Sequence, residues 1–157
     1  MLKNKFMRVP LAILALFALL FTLASCGGDT DGNDTVGEAR IVIMDVEPTE
    51  YTVPLDALGT SGGVLGALEY LKENEGLTYT AIDGGYGAYL TALGSLEQNA
   101  AEGKYLYVYT SVASDMDVSA YAQTVEYDGI SLTSSGVGIS EMTLTDGVII
   151  YFTYIIY

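Results

Sequence analysis

The chain has 157 residues, half of them hydrophobic, with six Lys and Arg against twenty Asp and Glu, one cysteine, and neither histidine nor tryptophan. Without histidine, a Ser–His or Cys–His catalytic pair, a histidine zinc site and an imidazole pH switch are excluded. A net charge of −14 argues against nucleic-acid binding, which needs clustered Lys and Arg against phosphate.

Residues 1–25 have the three-part plan of a secretory signal. Lys3, Lys5 and Arg8 form a basic start, residues 11–23 an apolar run, and Ala24, Ser25 and Cys26 a small-residue cleavage region. The run is shorter than the roughly 20 residues that a spanning helix needs; an uncleaved N-terminal anchor is the alternative reading. Leu23-Ala24-Ser25-Cys26 resembles the bacterial lipobox, in which a thiol accepts a diacylglyceryl group and becomes the first residue of the mature chain. The chain's single cysteine lies where that motif requires it. The expectation is a lipoprotein, held outside the cytoplasm at a bacterial membrane by acyl chains on Cys26; several chains on one residue anchor stably. Three of the six basic residues and none of the twenty acidic ones lie in the signal, so the mature chain would carry three against twenty, a formal −17. Such a domain is repelled by anionic headgroups.

Residues 26–37 are glycine-rich and polar, with a lone valine, and cannot bury enough surface to fold. They read as a flexible tether with a reach of roughly 20 Å. Asp29, Asp31, Asn33 and Asp34 alternate as in a calcium loop, but the EF-hand glycine and glutamate positions fall on Asp34 and Arg40, so the match fails.

Residues 38–157 are long enough for one core. A first strand is expected over 39–46, a turn at Pro48, and a short strand over 51–54. Thr60 or Ser61 is positioned to cap a helix running to about Glu73, with Val64, Leu65, Leu68 and Leu71 as its apolar stripe and Glu69 and Glu73 outward. The pattern then turns to β. Residues 77–82 alternate, 83–85 break the pattern, and 86–93 resume it. Residues 104–110 and 123–127 read as strands, and Asp128-Gly129 as a hairpin turn into 130–132. A short strand is expected over 142–144. Asp146-Gly147 leads into 148–157, which is apolar on both faces and so reads as buried. The fold class is α+β: a mostly antiparallel, β-grasp-like sheet with one helix packed on it.

Candidate chemistry centres on the tyrosines, all 13 of which lie beyond the signal. Tyr105, Tyr107 and Tyr109 alternate with Leu106 and Val108 and share one strand face. Such a row stacks flat ligands or sugars, because the ring is apolar and the hydroxyl polar; it equally suits cross-strand packing. Tyr86 and Tyr89 stand beside Gly84, Gly85 and Gly87, on a loop able to touch a ligand or simply to make a tight turn. The ligand-binding candidates are therefore Tyr86, Tyr89, Tyr105 and Tyr107. Asp115 and Asp117 flank Met116 and read as a solvated loop rather than a metal site, and no cofactor is implied. Lys72 and Lys104 are the available lysine bases, no Ser-x-x-Lys occurs, and Gly84-Gly85-Tyr86-Gly87 lacks the Lys-Ser/Thr of a phosphate loop. No enzyme is expected.

Several pieces, in order, resemble the small transcobalamin-like C-terminal domain of many secreted and surface-anchored bacterial proteins. They are the helix 62–71 after Tyr51-Thr-Val-Pro54, the run Gly84-Gly-Tyr-Gly-Ala-Tyr-Leu-Thr-Ala-Leu93, the strand Tyr105-Leu-Tyr-Val-Tyr109, and the closing segment Gly136-Val-Gly-Ile-Ser-Glu-Met-Thr-Leu-Thr-Asp-Gly-Val-Ile-Ile-Tyr-Phe152. The family strand usually carries a tryptophan and ends in Asn-Gly; here Tyr105 stands in it and Thr110-Ser111 follow. The closing motif often reads Gly-Asp, against Gly147-Val148 here. The resemblance implies a compact β-grasp-like domain, which in vitamin carriers closes one side of a cobalamin site. The expected function is thus a lipid-anchored binding module for a small soluble ligand such as a corrinoid. The alternative is a structural or adhesive surface module for a protein or wall polymer.

Overall fold

The computed structural model describes residues 37–58, 62–85 and 87–157. The predicted signal, Cys26, the tether through residue 36, the cap candidates Thr60 and Ser61, and Tyr86 lie outside the described residues. The elements run β1 (Glu38–Met44), β2 (Pro48–Pro54), α1 (Gly63–Asn74), β3 (Tyr79–Gly84), β4 (Gly87–Leu93), β5 (Leu96–Glu97), β6 (Lys104–Thr110), β7 (Thr124–Tyr127), β8 (Ile130–Ser134) and β9 (Ile149–Ile156). The α+β class with mostly antiparallel pairing and a single α-helix is what the described residues show. Six strands form one sheet in the order β2-β1-β9-β6-β8-β7, and β3-β4-β5 form a second.

The centre of the large sheet is β9, parallel to β1 on one side and antiparallel to β6 on the other. Ile149, Ile150, Tyr151 and Phe152 are all buried, which matches their lack of alternation: a strand covered on both faces has no polar side. The burial expected over all of 148–157 does not extend to the end, where Ile156 and Tyr157 are exposed beyond the covered part of the sheet. Ile150 and Phe152 face α1, whose Val64, Ala67, Leu68 and Leu71 are fully buried with Ile41, Ile43 and Val53. Ile149 and Tyr151 point the other way and pack with Val42, Tyr109 and Leu132. A second core exists there because the sheet curls over itself. The Arg40 guanidinium (β1) grips Glu50 (β2) with two hydrogen bonds of 3.0 and 2.9 Å, and also reaches Asp128, in the β7–β8 turn, at 3.0 Å. The Tyr127 hydroxyl donates to Glu50 at 3.0 Å. Strands at opposite ends of the sheet order thus meet at one arginine.

Four expectations are corrected. Pro48 opens β2 rather than preceding it; β2 is a sheet edge, where proline's missing donor is harmless. Strand β3 runs through Gly84, across the expected break. The short strand over 142–144 does not form; Met142 is buried and its carbonyl accepts the Val64 N–H, while the Thr143 N–H donates to the Asp115 carboxylate at 2.6 Å. One acceptor and one donor of that segment are thus satisfied without a ladder. Asp115 is correspondingly no solvated loop residue: it is 6% exposed and also accepts from the Ser114 hydroxyl at 2.9 Å. The Asp128-Gly129 turn forms as expected, both residues having positive φ (53° and 75°), the signature of a two-residue hairpin.

Candidate functional site

Strand β6 has two unlike halves. Its last residues, Tyr109 and Thr110, pair with β8 on one side and β9 on the other. Its first half pairs with β9 and, on the other side, only through a single bridge from Lys104 to Asn99, because β8 ends at Ser134 and the chain then departs into the segment 135–141. A hollow of about 460 Å³ opens along this missing neighbour, within the range of small-molecule sites. Ala88, Tyr89 and Leu90 of β4 form one wall, and Val137, Gly138 and Ile139 another. Tyr105, Leu106, Tyr107 and Val108 bring the β6 edge to it, Phe152 and Ile155 come from β9, and Gln98 and Tyr157 complete it.

Local chemistry explains the shape. The Ala88 carbonyl accepts the Ile139 N–H at 2.9 Å, and the Ala88 N–H donates to the Ser140 hydroxyl at 2.9 Å. These bonds hold segment 135–141 against β4 and away from β6. Gly87 makes the approach possible. Its φ is +95°, and a Cβ there would stand 2.8 Å from the Ser140 Oγ, so both conformation and space demand glycine. At the other end, the Ser135 N–H donates to the Val108 carbonyl at 2.9 Å, the last link before the chains separate.

Of the sequence candidates, Tyr89, Tyr105 and Tyr107 meet at this hollow, and Tyr86 lies outside the described residues. Tyr89 stands not on a loop but within β4, opposite Ile82 of β3, and is 48% exposed; Tyr105 and Tyr107 are half-buried. Tyr105 stands edge-to-face with Tyr157 at 6.0 Å between ring centres, and Tyr107 with Tyr109 at 5.4 Å. The row continues inward, Tyr109 to Tyr151 at 6.1 Å and Tyr151 to Tyr127 at 5.3 Å. On this one strand Tyr109 is buried, Tyr107 packs against the same cluster and also lines the hollow, and Tyr105 lines the hollow. Burial, and then charge repulsion from the neighbouring Tyr107 and Tyr151 hydroxyls, raise the Tyr109 hydroxyl above its usual 10.0.

Among the described residues around the hollow, none carries a carboxylate, amine, guanidinium or aliphatic hydroxyl on its side chain; the polar groups are tyrosine hydroxyls, the Gln98 amide and main chain. Charge begins next door. Gln98 also borders a polar hollow of about 390 Å³ with Glu97, Asn99, Glu102, Lys104 and Tyr154, where the Lys104 ammonium sits 3.6 Å above the Tyr154 ring centre. Lys72 is paired with Glu69 at 2.9 Å. Asp115 and Asp117 are spent on hydrogen bonds within the chain, Asp117 to the Ser119 N–H at 2.8 Å and to its hydroxyl at 3.0 Å, and no group of three or more potential metal ligands occurs among the described residues.

Sequence reasoning missed Val137, Ile139, Ile155, Tyr157, Gln98 and Phe152 as neighbours of the tyrosines. A signal was nonetheless present. Three of the segments that carry the transcobalamin-like resemblance, around Tyr89, Tyr105–Val108 and Val137–Phe152, each place residues on this one hollow.

No protein-family model matches the chain, and no curated protein matches it. Solved structures similar to it include a protein from Ruminococcus gnavus provisionally described as metal-binding, at 11% identity and a TM-score of 0.49, covering 77% of this chain and 98% of that one. Another is haptocorrin in complex with Cbi, at 14% identity and a TM-score of 0.46, covering 74% of this chain and 24% of that one.

Proposed function

We propose that this chain is a non-catalytic binding module that takes an uncharged, flat group of a small soluble ligand into the hollow beside β6, and that it is held outside the cytoplasm at a bacterial membrane through lipid on Cys26. The observation that carries the ligand reading is the convergence of Tyr89, Tyr105 and Tyr107 on one concave apolar hollow of about 460 Å³. Aromatic walls with a few polar groups are the usual make-up of small-molecule sites, and rings that are half exposed remain free to stack. Lining side chains without carboxylate, amine or aliphatic hydroxyl offer no nucleophile–base pair and no acid pair, which supports binding without turnover. The anchoring reading rests on the sequence of residues 1–26, and a corrinoid as ligand rests on the transcobalamin-like segments.

A concave site favours this reading over an adhesive surface module, which needs a broad exposed apolar patch. The most exposed apolar side chains, Val46, Val118 and Tyr121, sit on two separate loops. Equilibrium dialysis of the full chain in detergent micelles against cobalamin and cobinamide tests the corrinoid reading. Saturable uptake at micromolar ligand is expected; no uptake up to millimolar ligand would remove corrinoids. For the anchor, Cys26→Ala is expected to shift the protein out of the membrane fraction or to leave an uncleaved precursor. A variant that fractionates and migrates as wild type would contradict it.

A further inference from the structure

The edge of β6 carries hydrogen-bonding information that its side chains do not. The Tyr157 N–H donates to the Gly103 carbonyl and the Ser111 N–H to the Ile149 carbonyl, so odd-numbered residues of β6 direct their main-chain groups at β9, in the alternation of an antiparallel ladder. Even-numbered residues direct theirs to the opposite edge. There Lys104 exchanges both bonds with Asn99, at 2.8 and 2.9 Å, and the Val108 carbonyl takes the Ser135 N–H. Leu106 lies between these closures. Its N–H and C=O point along the same edge and have no partner among the described residues, and Leu106 lines the hollow. A half-buried main-chain pair left open in this way is costly unless water or a ligand satisfies it.

We propose that this open Leu106 pair makes the hollow selective for a neutral group that holds a donor and an acceptor side by side, such as a primary carboxamide or a lactam, with its flat substituent among the tyrosine rings. The proposal rests on the ligand reading given above. The Leu106 N–H donates to the carboxamide oxygen, and the Leu106 carbonyl accepts the amide hydrogen lying on the same side as that oxygen. A peptide group fits poorly, because a trans peptide bond holds its N–H and C=O on opposite sides. A peptide strand would have to continue the ladder at Lys104 and Val108, where Asn99 and Ser135 already stand. The window between those closures is three residues, and the four steps from Lys104 to Val108 span about 13 Å of strand, which suits a compact group. A carboxylate offers no donor to the Leu106 carbonyl, and the lining supplies no cation to balance it.

The test uses the full chain in detergent micelles, labelled with ¹⁵N-leucine and ring-¹³C-tyrosine, titrated with benzamide, N-methylbenzamide and benzoate. The Leu106 amide signal is assigned by its loss in Leu106→Val. Benzamide is expected to move the Leu106 amide more than any other leucine amide and to shift the Tyr105 and Tyr107 rings. N-methylbenzamide, whose N–H lies opposite its oxygen, should bind about fivefold more weakly for the lost hydrogen bond, and benzoate should leave the rings unmoved. If all three compounds shift the tyrosine rings with equal affinity and Leu106 stays still, the hollow is a ligand site but the carboxamide selectivity is wrong. If no compound moves either rings or amide, the ligand reading of the hollow falls and takes this inference with it.

Discussion

The two halves of β6 share one alternating sequence, Lys-Tyr-Leu-Tyr-Val-Tyr-Thr, and have opposite fates. Tyr109 is 6% exposed, with strands on both sides and two tyrosine rings edge-to-face with it. Tyr105, four residues earlier on the same face, looks into an open hollow. The difference is not in the residues but in where β8 stops. A strand that loses its neighbour midway keeps its rigidity from the other side, through β9, and gains an unpaired edge. Binding groups placed on such an edge are held by a sheet and yet reachable, a combination loops seldom give.

Substitution at the two ends of this strand separates their roles. Tyr109→Ala is expected to destabilise the fold by about 3–5 kcal/mol, the range for emptying a buried aromatic site. Tyr105→Ala, on the open half, should cost about 1 kcal/mol. Urea unfolding followed by circular dichroism measures both; equal losses would mean the halves are not distinct. Next in size is Asp115→Ala, just past the closed end. It leaves the Thr143 N–H without its 2.6 Å acceptor, an expected loss of about 1–3 kcal/mol by the same unfolding assay. A change below experimental error would show that water replaces the carboxylate.

The smallest effect is electrostatic and concerns the closure of the curled sheet. The Arg40 guanidinium holds the Glu50 carboxyl below its usual 4.5. A lowered folded value means that the contribution is complete above pH 4.5 and is lost as pH falls through 4.5 and below. The pair is partly exposed, so the amount is below about 1 kcal/mol. Tyr79 has the opposite sign. Burial and the Glu69 carboxylate push its hydroxyl up to about 12 from 10.0, so its contribution is present below pH 10 and disappears as pH rises from 10 to 12. Glu50→Gln should flatten the acid side of the stability profile; an unaltered acid limb would assign that slope to other carboxylates.

Much of the fold was legible because periodicity reports burial. The helix stripe, the doubly apolar last strand and the Asp128-Gly129 hairpin follow from local pattern. The parallel pairing of β1 with β9 was not legible, since nothing local marks which distant strand completes a sheet. Strand β5 is two residues long, too short to show a period. Asp115 was misread because its partner, Thr143, is 28 residues away and a carboxylate in an acid-rich chain looks solvated. At the hollow, Tyr89, Tyr105 and Tyr107 were legible as surface-capable aromatics. Their convergence was not, because it depends on segment 135–141 being drawn to β4 by Ala88 and Ser140 rather than continuing alongside β6.

The central claim, that the open half of β6 borders a ligand site, is tested most directly by a fragment screen on ring-¹³C-tyrosine protein. A set of neutral aromatic compounds is titrated to millimolar concentration, and the rings are assigned by single Tyr→Phe variants. The expected result is that some compounds shift Tyr89, Tyr105 and Tyr107 together and saturably while the exposed Tyr121 stays still. The contradicting result is that no compound moves those three rings, or that Tyr121 responds in their place.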